Sequence, residues 1–202
     1  KRIFNKQNYA DPFSRSRYNF DPIRKLGFVN TYNGYLKVTA SGNELIEKEE
    51  NVSEIFLKSL LKWQLPNFTQ LKNYKPDDGY NIIPLIGFIK LIKSLNIKYE
   101  KPVGISRKEI NIFLPSLLDI NDIDGITIEI LEFREKFKKI KNKKDKSSFI
   151  KETFKKFSTK NEFKSPYATS KDYGDNLRRY FCYTDLFKDN GFYVNLNEYR
   201  QN

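Results

Sequence analysis

The apolar residues Ile126, Ile130, Phe133, Phe137 and Ile140 recur at intervals of four, three, four and three. Only an α-helix puts such positions on one face, because its turn holds about 3.6 residues. Asp124 is expected to open this helix, and Ile150, Phe154 and Phe157 repeat the spacing in the next. Upstream, Phe56, Leu57, Leu60, Leu61 and Trp63 form a broad apolar face, with Ser53 as cap and Pro66 as stop. Pro84 falls in the first turn of an apolar helix running to residue 95. Ser106 caps a helix over 107–114 that Pro115 ends, and a polar loop over 158–170 precedes one with Tyr173, Leu177, Tyr180, Phe181 and Thr184 on one side.

Strand signals are few and short. A weakly helical stretch over 13–26, broken by Pro22, ends at Gly27, and Asn33-Gly34 then joins two short strands over 28–32 and 35–38. Asn-Gly suits a type I′ hairpin turn because both central residues need positive φ. Thr39 can cap a helix over 40–47 that carries Leu45 and Ile46 inward. Near the other end, Leu186-Phe187, the turn Asp189-Asn190-Gly191 and a strand over 192–196 make a second helix-plus-hairpin unit. The expected fold is mainly α with short β-hairpin wings: two winged-helix, helix-turn-helix-like subdomains joined by helices. Residues 1–80 would form the first, with the Trp63 helix, and 81–202 the second.

Composition narrows the chemistry. No histidine is present, which excludes imidazole metal ligands, Ser-His-Asp and Cys-His pairs and any histidine base. Cys182 is the single cysteine, so no internal disulfide forms, and with no histidine to activate it a packed role is expected. Pro76-Asp77 and Glu162-Phe163-Lys164 imitate a magnesium nuclease motif, but the second lies in a polar loop rather than on an apolar strand. Asp119, Asn121, Asp122 and Asp124 lack calcium-loop spacing. No catalytic or metal-binding residue, and no cofactor, is therefore assigned to this chain.

Thirty-seven Lys and Arg against 25 Asp and Glu give a net charge of +12. The excess is concentrated: seven basic against two acidic residues over 1–25, and 13 against four over 134–164, flank a nearly neutral middle. Two basic blocks around a neutral core favour a phosphate-binding surface, although richness in Lys, Asn, Ile, Phe and Tyr also fits an AT-rich genome. The candidate DNA-binding residues are Arg15, Arg17, Lys25, Lys37, Arg107, Lys108, Lys164, Lys171, Arg178 and Arg179. Arginine can read guanine or grip phosphate with two hydrogen bonds, whereas lysine supplies mainly charge. Mean hydropathy is −0.68, and no run of 18 apolar residues or secretory segment occurs, so no membrane partner and a bacterial cytoplasmic location are expected. With no methionine even at position 1, the chain is expected to be processed, trimmed or a fragment.

Leu26-Gly27-Phe28-Val29, the hairpin from Asn33 to Thr39 and Ser41-Gly42-Asn43-Glu44-Leu45 together resemble the start of the AlwI family of type IIS restriction and nicking endonucleases. The similarity continues through Phe56-Leu57-Lys58-Ser59-Leu60-Leu61-Lys62-Trp63-Gln64-Leu65-Pro66, Asn81-Ile82-Ile83-Pro84-Leu85 and Glu132-Phe133-Arg134. It extends to the run from Arg179 to Phe187, Arg-Tyr-Phe-Cys-Tyr-Thr-Asp-Leu-Phe. The resemblance implies an N-terminal DNA-recognition region with winged-helix subdomains, reading a short asymmetric site in double-stranded DNA as a monomer. Cleavage would come from a magnesium-dependent C-terminal domain, or another subunit of the same enzyme, that is absent here. The chain alone would then not be an enzyme, although its parent would be a type II site-specific deoxyribonuclease. The resemblance assigns none of the basic residues a role. A free-standing winged-helix regulator is the alternative, and a protein-interaction module with incidental charge a third reading.

Overall fold

The computed structural model describes residues 11, 20–65, 81–160 and 167–198, and these divide between Trp63 and Gln64 into two compact units. The expected boundary at 80/81 borders the stretch 66–80, which lies outside the described residues, as does Pro66.

In the first unit, a helical stretch α1 (20–25) ends at Gly27, whose φ of +77° favours glycine. Strands β1 (Val29–Tyr32) and β2 (Tyr35–Val38) pair antiparallel, with Val29 opposite Val38 and Tyr32 opposite Tyr35. Asn33 and Gly34 take φ of 48° and 79°, as the type I′ turn requires. Thr39 caps α2 (Ala40–Glu47): its hydroxyl accepts from the Gly42 N–H at 3.1 Å and donates to the Gly27 carbonyl at 2.6 Å. One side chain thus ties the end of α1 to the start of α2. Ile46, expected inward, is instead 69% exposed; a helix of eight residues has one narrow buried side, occupied here by Gly42.

Helix α3 (Val52–Lys62) is preceded by Asn51 at the cap position rather than Ser53, because the 3₁₀ turn Glu49–Asn51 runs directly into it. Its Ile55 and Leu60 join Leu26, Phe28 and Trp63 in the unit's core, and the Phe28 and Phe56 rings meet at 5.4 Å. Trp63 is 4% exposed, so the most distinctive residue of its segment is a packing residue.

The second unit is built on α4 (Pro84–Tyr99), which buries Leu85, Phe88, Leu91, Ile92 and Leu95 and runs one turn past its expected end. Strand β3 (Ile105–Ser106) leads into α5 (Arg107–Phe113), which passes into a 3₁₀ turn, Leu114–Ser116, at Pro115. Helix α6 (Ile123–Lys139) starts one residue before Asp124, and α7 (Lys143–Lys160) follows. Helix α8 (Tyr167–Cys182) precedes strands β4 (Phe187–Asp189) and β5 (Tyr193–Leu196). The two-residue β3 pairs with β5, giving an antiparallel sheet in the order β3-β5-β4.

Phe88 from α4 meets Phe181 of α8 at 5.2 Å and Phe187 of β4 at 5.1 Å, so one cluster binds two helices to the sheet. Phe113 packs edge-on against Phe133 and Phe157, joining α5 to α6 and α7. Where α8 crosses α5, Gly174 lies over Asn111, and Ser170 donates to the Asn111 carbonyl at 3.0 Å. A Cβ at Gly174 would lie 2.9 Å from the Asn111 Cα. Gly174→Ala should therefore destabilise the protein by about 1–3 kcal/mol despite alanine's better helix propensity. Urea denaturation followed by circular dichroism checks this.

Candidate nucleic-acid interface

The interface is built on the β3–α5 junction. Ser106 and Glu109 form a capping box: the Glu109 N–H donates to Ser106 Oγ at 3.4 Å, and the Ser106 N–H donates to Glu109 Oε2 at 2.8 Å. Arg134, from α6, reaches the same carboxylate with Nε at 2.9 Å and Nη2 at 2.8 Å, and donates to the Gly104 carbonyl at 2.7 Å. Its guanidinium also lies 5.4 Å from the Tyr99 ring centroid. Burial works against the Arg134 charge, but the Glu109 hydrogen bonds and charge outweigh it and raise the guanidinium above its ordinary value.

This buried pair fixes where the flanking cations stand. Arg107 is exposed, and its backbone N–H donates to the Phe192 carbonyl at 3.3 Å, which places it against the β4–β5 hairpin. Arg178 comes to the same place from α8 and pairs with Asp189 of β4, its side chain only 11% exposed. Burial, and then the positive charges of Arg107 and Arg179, push the Arg178 guanidinium below its ordinary value. The fold thus brings three of the expected residues, Arg107, Arg178 and Arg179, into one electrostatic neighbourhood, although about seventy positions separate the first from the others. Arg178 is committed to Asp189, whereas Arg179 faces solvent.

The outward side of α8 carries Thr169, Asp172, Asn176 and Arg179 at intervals of three, four and three, all exposed. Such a stripe offers hydroxyl, carboxylate, amide and guanidinium groups in a row, matching the donor and acceptor types on base edges. Lys171 is exposed on the same helix. Beside it, the turn joining β4 to β5 is held by side chains: Asp189 Oδ1 accepts from the Gly191 N–H at 2.8 Å, and Asn190 Oδ1 accepts from the Phe192 and Tyr193 N–H groups at 3.0 and 2.8 Å.

On the other side of the junction, a groove of about 480 Å³ is lined by Tyr99, Lys101, Lys108, Arg134, Lys138 and Tyr193, among others. Lys108 and Lys146 stand 5.4 and 5.2 Å from the centroid of the Phe137 ring. Three lysines sequence reasoning left unassigned, Lys101, Lys138 and Lys146, thus join the expected Lys108. For Lys138 and Lys146 the clue was the density of lysine in the second basic block, which names no individual residue; Lys101 lies in the neutral middle and carried no such signal.

In the first unit Lys37 is exposed in β2, whereas Lys25 is half-buried at the end of α1. Arg15, Arg17 and Lys164 lie outside the described residues, as do Pro76-Asp77 and Glu162-Phe163. Among the described residues no group of three acidic, cysteine or histidine side chains gathers where a metal could sit. The buried carboxylate is occupied by Arg134, and Asp189 by Arg178. Neither of these two carboxylates, each engaged by an arginine, fits a magnesium centre. Burial pushes the Cys182 thiol up, against a smaller opposing effect from Arg178, which keeps it protonated and a poor nucleophile at neutral pH. No described helix is long and apolar enough to cross a membrane.

Exposed Arg107 and Arg179 thus stand beside a hairpin whose turn is held by side-chain hydrogen bonds. The sequence model of the AlwI restriction endonuclease family matches residues 24–202. The chain belongs to that family of type II restriction enzymes, and its partner is DNA. No curated protein is significantly similar to it.

Arg134→Met leaves Glu109 buried without its partner and should lower stability by about 3–5 kcal/mol, whereas Glu109→Gln combined with Arg134→Met should recover part of that loss. A double-mutant cycle in urea checks the coupling. Arg178→Ala should lower the melting temperature, because it frees Asp189; Arg179→Ala should leave it unchanged and weaken DNA binding by about 1–3 kcal/mol. Thermal melts and fluorescence anisotropy on the same samples separate the two effects.

Proposed function

We propose that this chain is the DNA-recognition region of a type IIS restriction or nicking endonuclease, reading a short asymmetric site in duplex DNA as a monomer. The observation that carries the reading is the convergence of Arg107 and Arg179 around Arg178, beside the β4–β5 hairpin and the polar stripe of α8. In this reading α8 enters the major groove, Asn176 and Arg179 contact base edges, and Arg178 holds the hairpin against the helix. Lys101, Lys108, Lys138 and Lys171 contact phosphates.

The second unit is a winged-helix subdomain with two inserted helices. Its order of helix, strand, helix, helix, strand, strand runs α4, β3, α5, α8, β4, β5, and the sheet order β3-β5-β4 suits a wing folded back on the first strand. The first unit, a short helix followed by a hairpin and two helices, is a smaller relative of that plan. Two unlike modules in one chain explain an asymmetric site without a dimer two-fold. Phosphodiester cleavage, with its magnesium ion, is supplied by another part of the parent enzyme, and this chain alone does not cut.

Selection from a random duplex pool at near-physiological salt, followed by sequencing, tests the reading. The expected result is one asymmetric motif of about five base pairs, with each mismatch weakening binding by ~1–3 kcal/mol. A palindrome would instead indicate a dimeric regulator. Absence of enrichment, with affinity insensitive to salt, would indicate a partner other than DNA.

A further inference from the structure

Phe192 is 78% exposed at the tip of the β4–β5 hairpin. A lone exposed aromatic is ordinary on a protein surface, but this one is presented on a fixed support. Its backbone N–H is held by Asn190, its carbonyl accepts from Arg107, and the preceding Gly191 N–H is held by Asp189. Gly191 has a φ of +86°, which supplies the reversal that sends the ring outward. Asp189 is itself anchored to Arg178. The apolar tip therefore stands out from a turn tied to two helices.

The surroundings define what the ring can meet. Arg107 is bonded to it through the backbone, Lys188 is exposed on β4, and Lys108, the residue after Arg107 in the first turn of α5, is exposed as well. An apolar point set among cations complements a polyanion whose interior is apolar, and stacked bases beneath a phosphate rim have that arrangement. We propose that Phe192 is a wedge: its ring enters a groove of the bound duplex, presses between base pairs and bends the DNA, while Arg107 and Lys188 hold the flanking phosphates. This deepens the DNA-recognition reading and rests on it.

The test uses the full chain and a random-sequence duplex pool of about 25 base pairs carrying a donor and an acceptor dye at its ends. Anisotropy reports binding and energy transfer reports bending. Wild-type protein should bring the ends together, as expected for a bend of about 20–90°. Phe192→Ser should still bind but leave the duplex straight, and Phe192→Leu should keep a bend. The turn's hydrogen bonds come from Asp189, Asn190 and the backbone, so Phe192→Ser retains them. A duplex that is bound but straight with wild type, or bent equally by Phe192→Ser, overturns the wedge alone. Failure of wild type to bind the pool even at low salt overturns the recognition reading and the wedge with it.

Discussion

Glu109 is 3% exposed, and its two carboxylate oxygens serve three donors: the Ser106 N–H, Arg134 Nε and Arg134 Nη2. A buried charge is tolerated only when paired and hydrogen-bonded, since its lost hydration otherwise costs several kcal/mol. That requirement confines α6 to one distance from the β3–α5 junction. Arg134 also takes the Gly104 carbonyl, so the strand entering the helix is held from the same side. Gly104 approaches β5 so closely that a Cβ would lie 2.5 Å from the Val194 carbonyl oxygen. Asn96 completes the frame by accepting from the Val103 and Gly104 N–H groups and donating to Asn195 of β5. The position of the hairpin, and hence of Arg107 beside it, descends from one ionic contact between residues 25 positions apart.

What could be read from the sequence was local. The caps made by Thr39 and Ser106 and the turn at Asn33-Gly34 need only residues within three or four positions, and they lie where expected. The steps through Ile126, Ile130 and Phe133 give the buried side of α6, because period alone decides that side. Nonlocal partnerships left no such trace. Strand β3 is two residues long and exists only because β5 passes beside it, so no alternation announced it. Arg178 and Arg179 are adjacent and chemically alike, and only Asp189 eleven positions away makes one a strut and leaves the other exposed. The expected site residues were chosen by charge, which says that a surface meets an anion but not which cations are already engaged.

The segments that carry the family resemblance are mostly parts of the frame. Trp63 is buried, Arg134 grips Glu109, and Thr184 is 1% exposed with its hydroxyl donating to the Phe181 carbonyl at 2.7 Å. Asp185, next to it, takes a φ of 55° where the chain turns towards β4. These residues serve the packing and turns of the fold.

Asp189 uses one carboxylate oxygen for the Gly191 N–H of the turn and the other for Arg178 of α8. A single side chain thereby makes helix and hairpin one lever. A helix lifted by a badly fitting base pair would carry the hairpin with it, so an error under one element is felt by the other. In the proposed recognition mode, discrimination would then draw on the stiffness of a joint as well as on hydrogen bonds to bases, and a softer residue at 189 would make the protein more forgiving while leaving the proposed base-reading side chains in place.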